Sequence, residues 1–367
     1  MRAPLTLLHV FPTFAFGGVQ VRFSALANHF GPRYRHHILA LDGDTACAAR
    51  LDPALDVEFP RIEMVKNDTR GNVRRFRAAL AAWRPDGLIT SNWGSIEWDM
   101  ARALPAFGPR PFHVHVEDGF GPEERDRQLP RRVLTRRLVL RRCVTVLPSR
   151  RLWDIATGVW RLPESRLRYI PNGVDLSRFV GDPPPPPWRP DGRPVVGTVA
   201  ALRPEKNLGR LVRAFAAARA RVPARLVIVG DGNERAGLVA LAGELGLGED
   251  VIFTGHMSDP RAALRNLDIF VLSSDTEQMP MSVLEAMASG LALASTDVGD
   301  VRAVLSAPNA PLIVPRDDDA LAGAIAELLG NARLREAVGQ ANRERAASDF
   351  TELGMFAAWQ RIFDGVG

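Results

Sequence analysis

Glu277 and Glu285 are separated by seven intervening residues in the stretch SSDTEQMPMSVLEAMASG, residues 273–290. The pair straddles a predicted helix start. Pro280 suits a first turn, Val283, Leu284 and Met287 recur on one face, and Gly290 supplies the stop. One carboxylate is then expected on a loop and the other about one turn inside a helix. A carboxylate accepts hydrogen bonds from neighbouring hydroxyls, and the unpaired N–H groups of a first helical turn donate beside it. That combination favours a polyhydroxylated ligand with anionic parts, the description of a sugar nucleotide. Two solvated glutamates around an ordinary helix fit the same spacing, because Glu is a common helix residue, so other segments must decide.

Three of them lie upstream in the same half. In GTVAALRPEKNL, residues 197–208, a predicted strand runs out into Arg203, Pro204 and Lys206 just before a helix. Cations at the carboxyl end of a parallel strand sit where open α/β sheets bind ligands. Lys66 and Lys206 are the only lysines in the chain, against a background of arginine. A diphosphate needs about two compensating charges, and with no Asp-rich cluster in this half Arg203 and Lys206 would supply them without a metal. VIVGDGN at 227–233 is a strand running into a glycine turn at Gly230, a sequence that suits many turns. FTGHMS at 253–258 ends another strand, and His256 or Met257 could flank a nucleobase, although a lone histidine is as readily structural.

The first half offers HVHVEDG, residues 113–119. Alternation puts His113, His115 and Glu117 on one face of a strand, with Asp118 just beyond its end. Because parallel strands are covered on both faces, some of these groups could be buried structural ones. Two acids and a histidine at one strand end nevertheless exceed what a core needs, since buried charges are costly without partners. His115 is the expected functional histidine, and Glu117 and Asp118 are candidates for orienting acceptor hydroxyls. Gly17 and Gly18 follow the first strand, where bare backbone could approach a phosphate or simply make a tight turn.

Short β-rich runs alternating with Ala/Leu/Arg stretches of helical period predict parallel sheets with crossover helices. One series covers Leu5 to about Ile170. After the proline run that begins at Pro183, which can form neither helix nor central strand, a second starts near Val195. The expected fold is therefore α/β, two doubly wound domains. The last segment, 350–366, carries an apolar stripe of Met355, Phe356, Trp359, Ile362 and Phe363 at helical spacing.

At 367 residues with 46% hydrophobic content the chain can fill two cores. No apolar stretch reaches 18 residues and no cleavable leader pattern follows Met1, so a cytoplasmic location is expected. Cys47 and Cys143, the only cysteines, have no metal-ligand spacing and read as buried small hydrophobes. The net charge of +5 is nearly all arginine. In PRRVLTRRLVLRR, residues 130–142, arginine pairs interleave with Val133, Leu134, Leu138, Val139 and Leu140. Such a helix could lie on an anionic membrane surface, peripherally on the inner face, or pack on a core with its arginines in solvent. No nucleic-acid motif accompanies the basic residues, so nucleic acid is not an expected partner.

Taken in order, RPEK at 203–206, GDG at 230–232, TGHM at 254–257, EQMP with LEAMASG across 277–290, and TDVG at 296–299 make the chain resemble glycosyltransferase family 4, retaining sugar transferases of the GT-B fold. PNGVD at 171–175 and the glycine pair at 17–18 extend the resemblance into the first half. It implies two Rossmann-like domains facing across a cleft. Residues 1–181 would bind the acceptor, 182–192 would link, 193–349 would bind the nucleotide sugar, and 350–367 would cross back to the first domain. It further implies Arg203 and Lys206 on the donor diphosphate, Glu277 at the transferred sugar, Glu285 on the ribose hydroxyls, and the backbone of Met279, Pro280, Met281 and Ser282 at the donor sugar. A family histidine near the sugar would be His115. The implied reaction moves a sugar from a nucleoside diphosphate sugar to a hydroxyl on a glycan or lipid-linked acceptor, with no cofactor and no metal. An epimerase or hydrolase of the same fold, or a non-catalytic sugar-nucleotide-binding partner, is the alternative. Where the family commonly has a glycine and an aromatic residue, this chain has Gln278 and Met279, which puts a long amide beside the expected sugar pocket.

Overall fold

The structure is a computed structural model that describes residues 4–104, 110–120, 122–124, 127–181, 192–257 and 259–365. The proline run expected to act as a linker lies outside the described residues. By contacts the chain forms two compact units. Unit 1 is Met1–Pro171 with Phe356–Gly367, and unit 2 is Asn172–Met355.

Unit 1 holds a seven-stranded parallel sheet in the order β3-β2-β1-β4-β5-β6-β7. The strands are β1 (Leu5–Phe11), β2 (Tyr34–Ala40), β3 (Val57–Glu58), β4 (Gly87–Ser91), β5 (Phe112–Val116), β6 (Val144–Leu147) and β7 (Leu167–Tyr169). Helices α1 (Gly18–Phe30), α2 (Thr69–Trp83), α3 (Ile96–Ala103), α4 (Pro130–Val139) and α5 (Arg150–Asp154) connect them. Strand order reverses between β1 and β4, the topological switch point at which open α/β sheets bind ligands. The inner strands read as near-continuous apolar runs because helices cover both faces, and Leu7, Leu8, Val10 and Leu88 are fully or nearly fully buried.

Unit 2 repeats the plan with six strands in the order β10-β9-β8-β11-β12-β13. These are β8 (Val195–Val199), β9 (Arg225–Val229), β10 (Val251–Gly255), β11 (Ile269–Leu272), β12 (Ala292–Thr296) and β13 (Ile313–Val314). Its helices are α6 (Leu208–Arg219), α7 (Arg235–Glu244), α8 (Arg261–Leu264), α9 (Met281–Ala288), α10 (Val301–Val304), α11 (Asp318–Gly330) and α12 (Ala332–Asp349). The switch point here lies between β8 and β11.

Helix α13 (Glu352–Gly365) passes from one unit's residues into the other's. From Phe356 onward it packs in unit 1, where Phe356 stacks on His29 with ring centres 4.3 Å apart and Phe363 meets Tyr34 at 5.3 Å. All five residues of the expected apolar stripe are buried. Helix α12 has no counterpart in the sequence reading. Its composition, ARLREAVGQANRERAASD, gives a weak apolar period, and it buries Asn342 beside Val338 and Ala346.

The basic segment 130–142 does not pack on a core with its arginines in solvent. It is helical over Pro130–Val139 and tightens into a 3-10 turn at Leu140–Arg142. Arg136 is fully buried, while Leu134 and Leu138 are 56% and 68% exposed. The inversion has a cause: the Arg136 guanidinium lies over the rings of Trp93, Phe120 and Trp160, a site that pairs it with two carboxylates.

Candidate active site

In unit 2, β8 ends at Val199 and the chain turns through Arg203 into a 3-10 turn at Pro204–Lys206. Asn207 adopts a left-handed conformation at φ +41° and caps α6, its side chain accepting from Arg210 N at 3.2 Å. Asparagine tolerates this backbone and offers the capping oxygen. On the other side of the switch point, β11 delivers Ser273 and the loop to Pro280. Two hydrogen bonds join the loops: Asp275 N donates to Glu205 O at 2.9 Å, and Ser273 Oγ to Lys206 O at 3.0 Å. Lys206 Nζ thereby reaches Glu277 Oε1 at 2.5 Å, and Ser274 Oγ donates to the same oxygen at 2.7 Å.

The Glu277 loop is held from several directions. Buried Arg210 donates to Ser273 O at 2.9 Å and to Asp275 Oδ1 at 2.8 Å. Thr296 Oγ1 donates to Ser274 O at 2.7 Å, and Asp300 N to Gln278 O at 2.9 Å. Gly299 has φ +54°, and a Cβ there would stand 2.5 Å from Glu277 O and 2.6 Å from Gln278 O, so only glycine permits this approach. Asn172 Nδ2 donates to Met279 O at 2.8 Å. Met279 and Pro280 are buried, whereas Met281, Ser282 and Glu285 are half-buried on the first turns of α9. Val283, Leu284 and Met287 are fully buried and fix the helix, at about 1.5–3 kcal/mol per side chain buried.

The glycine turn after β9 also belongs here. At Gly230, φ is +136° and a Cβ would fall 1.9 Å from Ala200 O; at Gly232 it would fall 2.4 Å from Leu202 O. These glycines press the turn against the loop that carries Arg203, with Leu202 N donating to Asp231 O at 2.9 Å. His256 is exposed and Met257 half-buried just past β10. The structure therefore gathers Arg203, Lys206, Gly230, His256, Met257, Glu277, Met279 to Ser282 and Glu285 at the carboxyl ends of β8 to β11 and the start of α9. Asn207, Arg210, Asp275 and Ser274, which fix them, were not singled out in the sequence. The Asn at the left-handed cap and the buried arginine carried the signal, yet neither is distinguishable by type from a surface residue.

Unit 1 presents a contrasting strand end. Gly17 is extended at φ −167° and precedes α1, whose first residue is Gly18. No left-handed turn requires either glycine. Asp118 is bound bidentately by Arg22 at 2.7 and 2.8 Å, and its N–H donates to Asn92 Oδ1 at 2.7 Å. His115 and Glu117 have no exposed side-chain surface. His115 Nδ1 lies 3.2 Å from Asp99 Oδ1, His113 Nε2 lies 2.8 Å from the same oxygen, and Thr90 Oγ1 donates to it at 2.6 Å. Glu117 Oε2 accepts from Arg136 Nε at 3.1 Å, and Glu124 takes the rest of that guanidinium at 3.1 and 3.0 Å. Burial disfavours the charged imidazole of His115, but Asp99 and Glu117 outweigh it and lift its pKa to about 9. Burial likewise opposes the Asp99 carboxylate, and the two histidines hold it well below the usual carboxylate range. As placed, His115 has no surface with which to touch a ligand.

Among the described residues no three His, Cys, Asp or Glu side chains cluster as a metal site, and no helix is long and apolar enough to cross a membrane. Cys47 and Cys143 are buried, and burial pushes the Cys143 thiol up to about 12.

Residues 185–345 match the model described as glycosyl transferases group 1, and residues 16–178 match the model described as Glycosyltransferase Family 4. A GDP-mannose-dependent alpha-mannosyltransferase of Mycolicibacterium smegmatis is 33% identical over 207 residues, which is 54% of this chain and 52% of that protein. The chain thus spans about half the length of the first curated relatives it matches. The 2-deoxystreptamine N-acetyl-D-glucosaminyltransferase of Streptomyces fradiae is 27% identical over 340 residues, 83% of this chain and 80% of that protein. The Anabaena protein HepE, solved in complex with UDP-glucose, superposes with a TM-score of 0.80 at 17% identity, covering 98% of this chain and 100% of that one. The shared fold is that of two Rossmann-like domains, GT-B.

Proposed function

From the premise that the chain belongs to glycosyltransferase family 4, its two halves each matching a model of that family, we propose that it transfers a sugar from a nucleoside diphosphate sugar to a hydroxyl acceptor in glycan or glycolipid biosynthesis. The observation that carries this reading is the Lys206–Glu277 pair at the switch point of unit 2, part-exposed and tied in place by Arg210, Thr296, Gly299 and Asn172. A donor diphosphate competes with Glu277 for Lys206 and recruits Arg203 beside it. Glu277 is then released to accept from hydroxyls of the transferred sugar, while the first N–H groups of α9 at Met281 and Ser282 donate to donor oxygens. Glu285 takes the ribose hydroxyls, and His256 and Met257 border the base.

In the transfer step the bond from the anomeric carbon to the diphosphate oxygen breaks and a bond to the acceptor oxygen forms on the same face, with retention of configuration. The acceptor proton passes to the departing diphosphate. Arg203 and Lys206 stabilise the charge that builds on the leaving group, the largest single electrostatic contribution available to these residues, and no metal is needed for it. Unit 1 supplies the acceptor side through Gly17, Gly18 and Asp118, while Glu117, which has no exposed surface, is held by Arg136. His115 serves there as a positioning residue, anchoring the strand end through Asp99 and Glu117. Segment 130–142, with Leu134 and Leu138 turned outward among arginines, would rest on an anionic membrane surface that carries a lipid-linked acceptor. GDP-mannose, the donor named for the mannosyltransferase relatives, is the first donor to test. Release of the nucleoside diphosphate from that or another sugar nucleotide, dependent on a glycan or glycolipid acceptor and lost in Lys206→Ala, is the expected result; no release with any donor would refute the proposal.

A further inference from the structure

The carboxyl end of the unit 1 sheet carries His115 to Asp118, but its amino end holds a separate feature. Where β5, β6 and β7 begin, a cavity of about 380 Å³ is lined by Arg102, Arg110, His113, Arg141, Arg142 and Arg166. Among the described residues no acidic side chain lines it and none of the five arginines has a carboxylate partner. Elsewhere arginines in close quarters are compensated: Arg22 by Asp118, Arg136 by Glu117 and Glu124, Arg210 by Asp275, and Arg193 and Arg219 by Asp250. Convergent guanidinium groups without a counter-charge repel one another. Burial, and after it the charge of Arg110, push the Arg102 guanidinium below its ordinary pKa. Arg102 is nonetheless held in place, its Nε donating to Pro111 O at 2.8 Å. The sequence places these arginines on four different segments, so a helix periodicity does not bring them together; the sheet does.

A phosphate group is the ligand that such a cavity suits, because guanidinium forks donate pairs of charge-assisted hydrogen bonds to its oxygens and the anion removes the mutual repulsion. Leu138 lines the same cavity while 68% exposed, and Leu134, 56% exposed, lies one turn earlier on α4. An apolar step beside a cationic cavity matches a phosphate borne by acyl chains. We propose that this cavity binds a phosphate group and that Leu134 and Leu138 let a membrane lipid present it. This names a headgroup pocket within the membrane reading above, and it stands or falls separately from sugar transfer.

The test uses the full chain, vesicles of phosphatidylcholine with and without phosphatidic acid, and titration with inorganic phosphate. The variants are Arg141→Gln with Arg142→Gln, Arg110→Gln with Arg166→Gln, and Leu134→Ser with Leu138→Ser, with Lys206→Ala as the donor-site control. Recruitment to phosphatidic acid vesicles, weakened roughly tenfold by either arginine pair and unchanged in Lys206→Ala, is the expected result. Thermal melting should hold in the arginine variants, whose side chains make no ion pairs among the described residues. Phosphate binding that is lost in the arginine variants and kept in Lys206→Ala, without vesicle recruitment, also supports the cavity as a phosphate site and removes the lipid as its source. The proposal is overturned if wild type binds neither, if the arginine variants bind as wild type does, or if only the leucine variant loses the vesicles.

Discussion

Lys206 and Glu277, which meet at the switch point of unit 2, keep 24% and 10% of their side-chain surface exposed, whereas Asp99, His115, Glu117 and Arg136 in unit 1 keep none. The two units share a topology of parallel strands with one reversal of order, yet use charge in opposite ways. In unit 2 the cation and carboxylate are held by neighbours that leave them open to exchange partners with a ligand. In unit 1 the charges are spent on one another inside the core. A buried pair costs desolvation that its own attraction barely repays, so its yield is a fixed strand end rather than a binding surface. The lesson is that a strand end rich in His, Glu and Asp does not by itself mark where chemistry happens; exposure of the pair does.

The largest effect that would sharpen this contrast is kinetic. Lys206→Ala should lower turnover by about 10²- to 10³-fold, the usual loss when a preorganised charge is removed, with little change in melting. Equal losses in melting temperature and turnover would place Lys206 among the structural charges instead. The matching change in unit 1 is Arg136→Ala, which leaves buried Glu117 with His115 at 3.7 Å and buried Glu124 with Arg132 at 3.3 Å as their remaining partners. It should cost about 3–5 kcal/mol of unit 1 stability in denaturant unfolding and leave donor binding in unit 2 intact.

A third change probes geometry without charge. Gly230→Ala must displace the Ala200 carbonyl or distort a backbone at φ +136°, so donor affinity should fall by about tenfold or more, a cost of order 1–3 kcal/mol. Unit 1 unfolding should not move. Wild-type donor affinity in this variant would show that the glycine turn does not shape the site.

The smallest effect is a pH dependence confined to unit 1. His115, raised to about 9 from an ordinary 6.5, adds stability that is complete below 6.5 and lost as pH rises toward 9. His9 and His36 lie the other way. Their ring nitrogens stand 3.1 Å apart in an aromatic pocket, and burial pushes His9 well below its ordinary value and His36 down to about 4. They stay neutral when folded, so stability is lost as pH falls from 6.5 toward 4. Unit 1 should therefore be most stable near pH 6.5. In His36→Phe the acid limb should flatten while the alkaline limb stays; an unchanged acid limb would contradict the assignment.

Much of the fold was legible. The two series of alternating strands and helices, one from Leu5 to about Ile170 and one from about Val195, became the two parallel sheets, because buried parallel strands leave an unmistakable apolar record. Helix α12 left none, since a helix that buries only Val338, Gly339, Asn342 and Ala346 has little hydrophobic period to read. In unit 2, residue types at spaced intervals pointed to the loops that converge, although Arg210, Asp275 and Asn207 were invisible as their supports. In unit 1 the sequence could supply the alternation that aligns His113, His115 and Glu117, but not their burial. Which side of α4 faces inward depends on Trp93, Phe120 and Trp160 arriving from three other segments, and that is a tertiary fact.

The most direct test of the central claim is calorimetric titration of the full chain with GDP-mannose, UDP-glucose and other nucleoside diphosphate sugars, without added metal, in wild type and Lys206→Ala. Selective binding of one nucleotide sugar, abolished or weakened at least tenfold in Lys206→Ala while the variant melts as wild type does, is the predicted result. No binding by the folded wild-type chain, or equal binding by both, would contradict a donor site built on the Lys206–Glu277 pair.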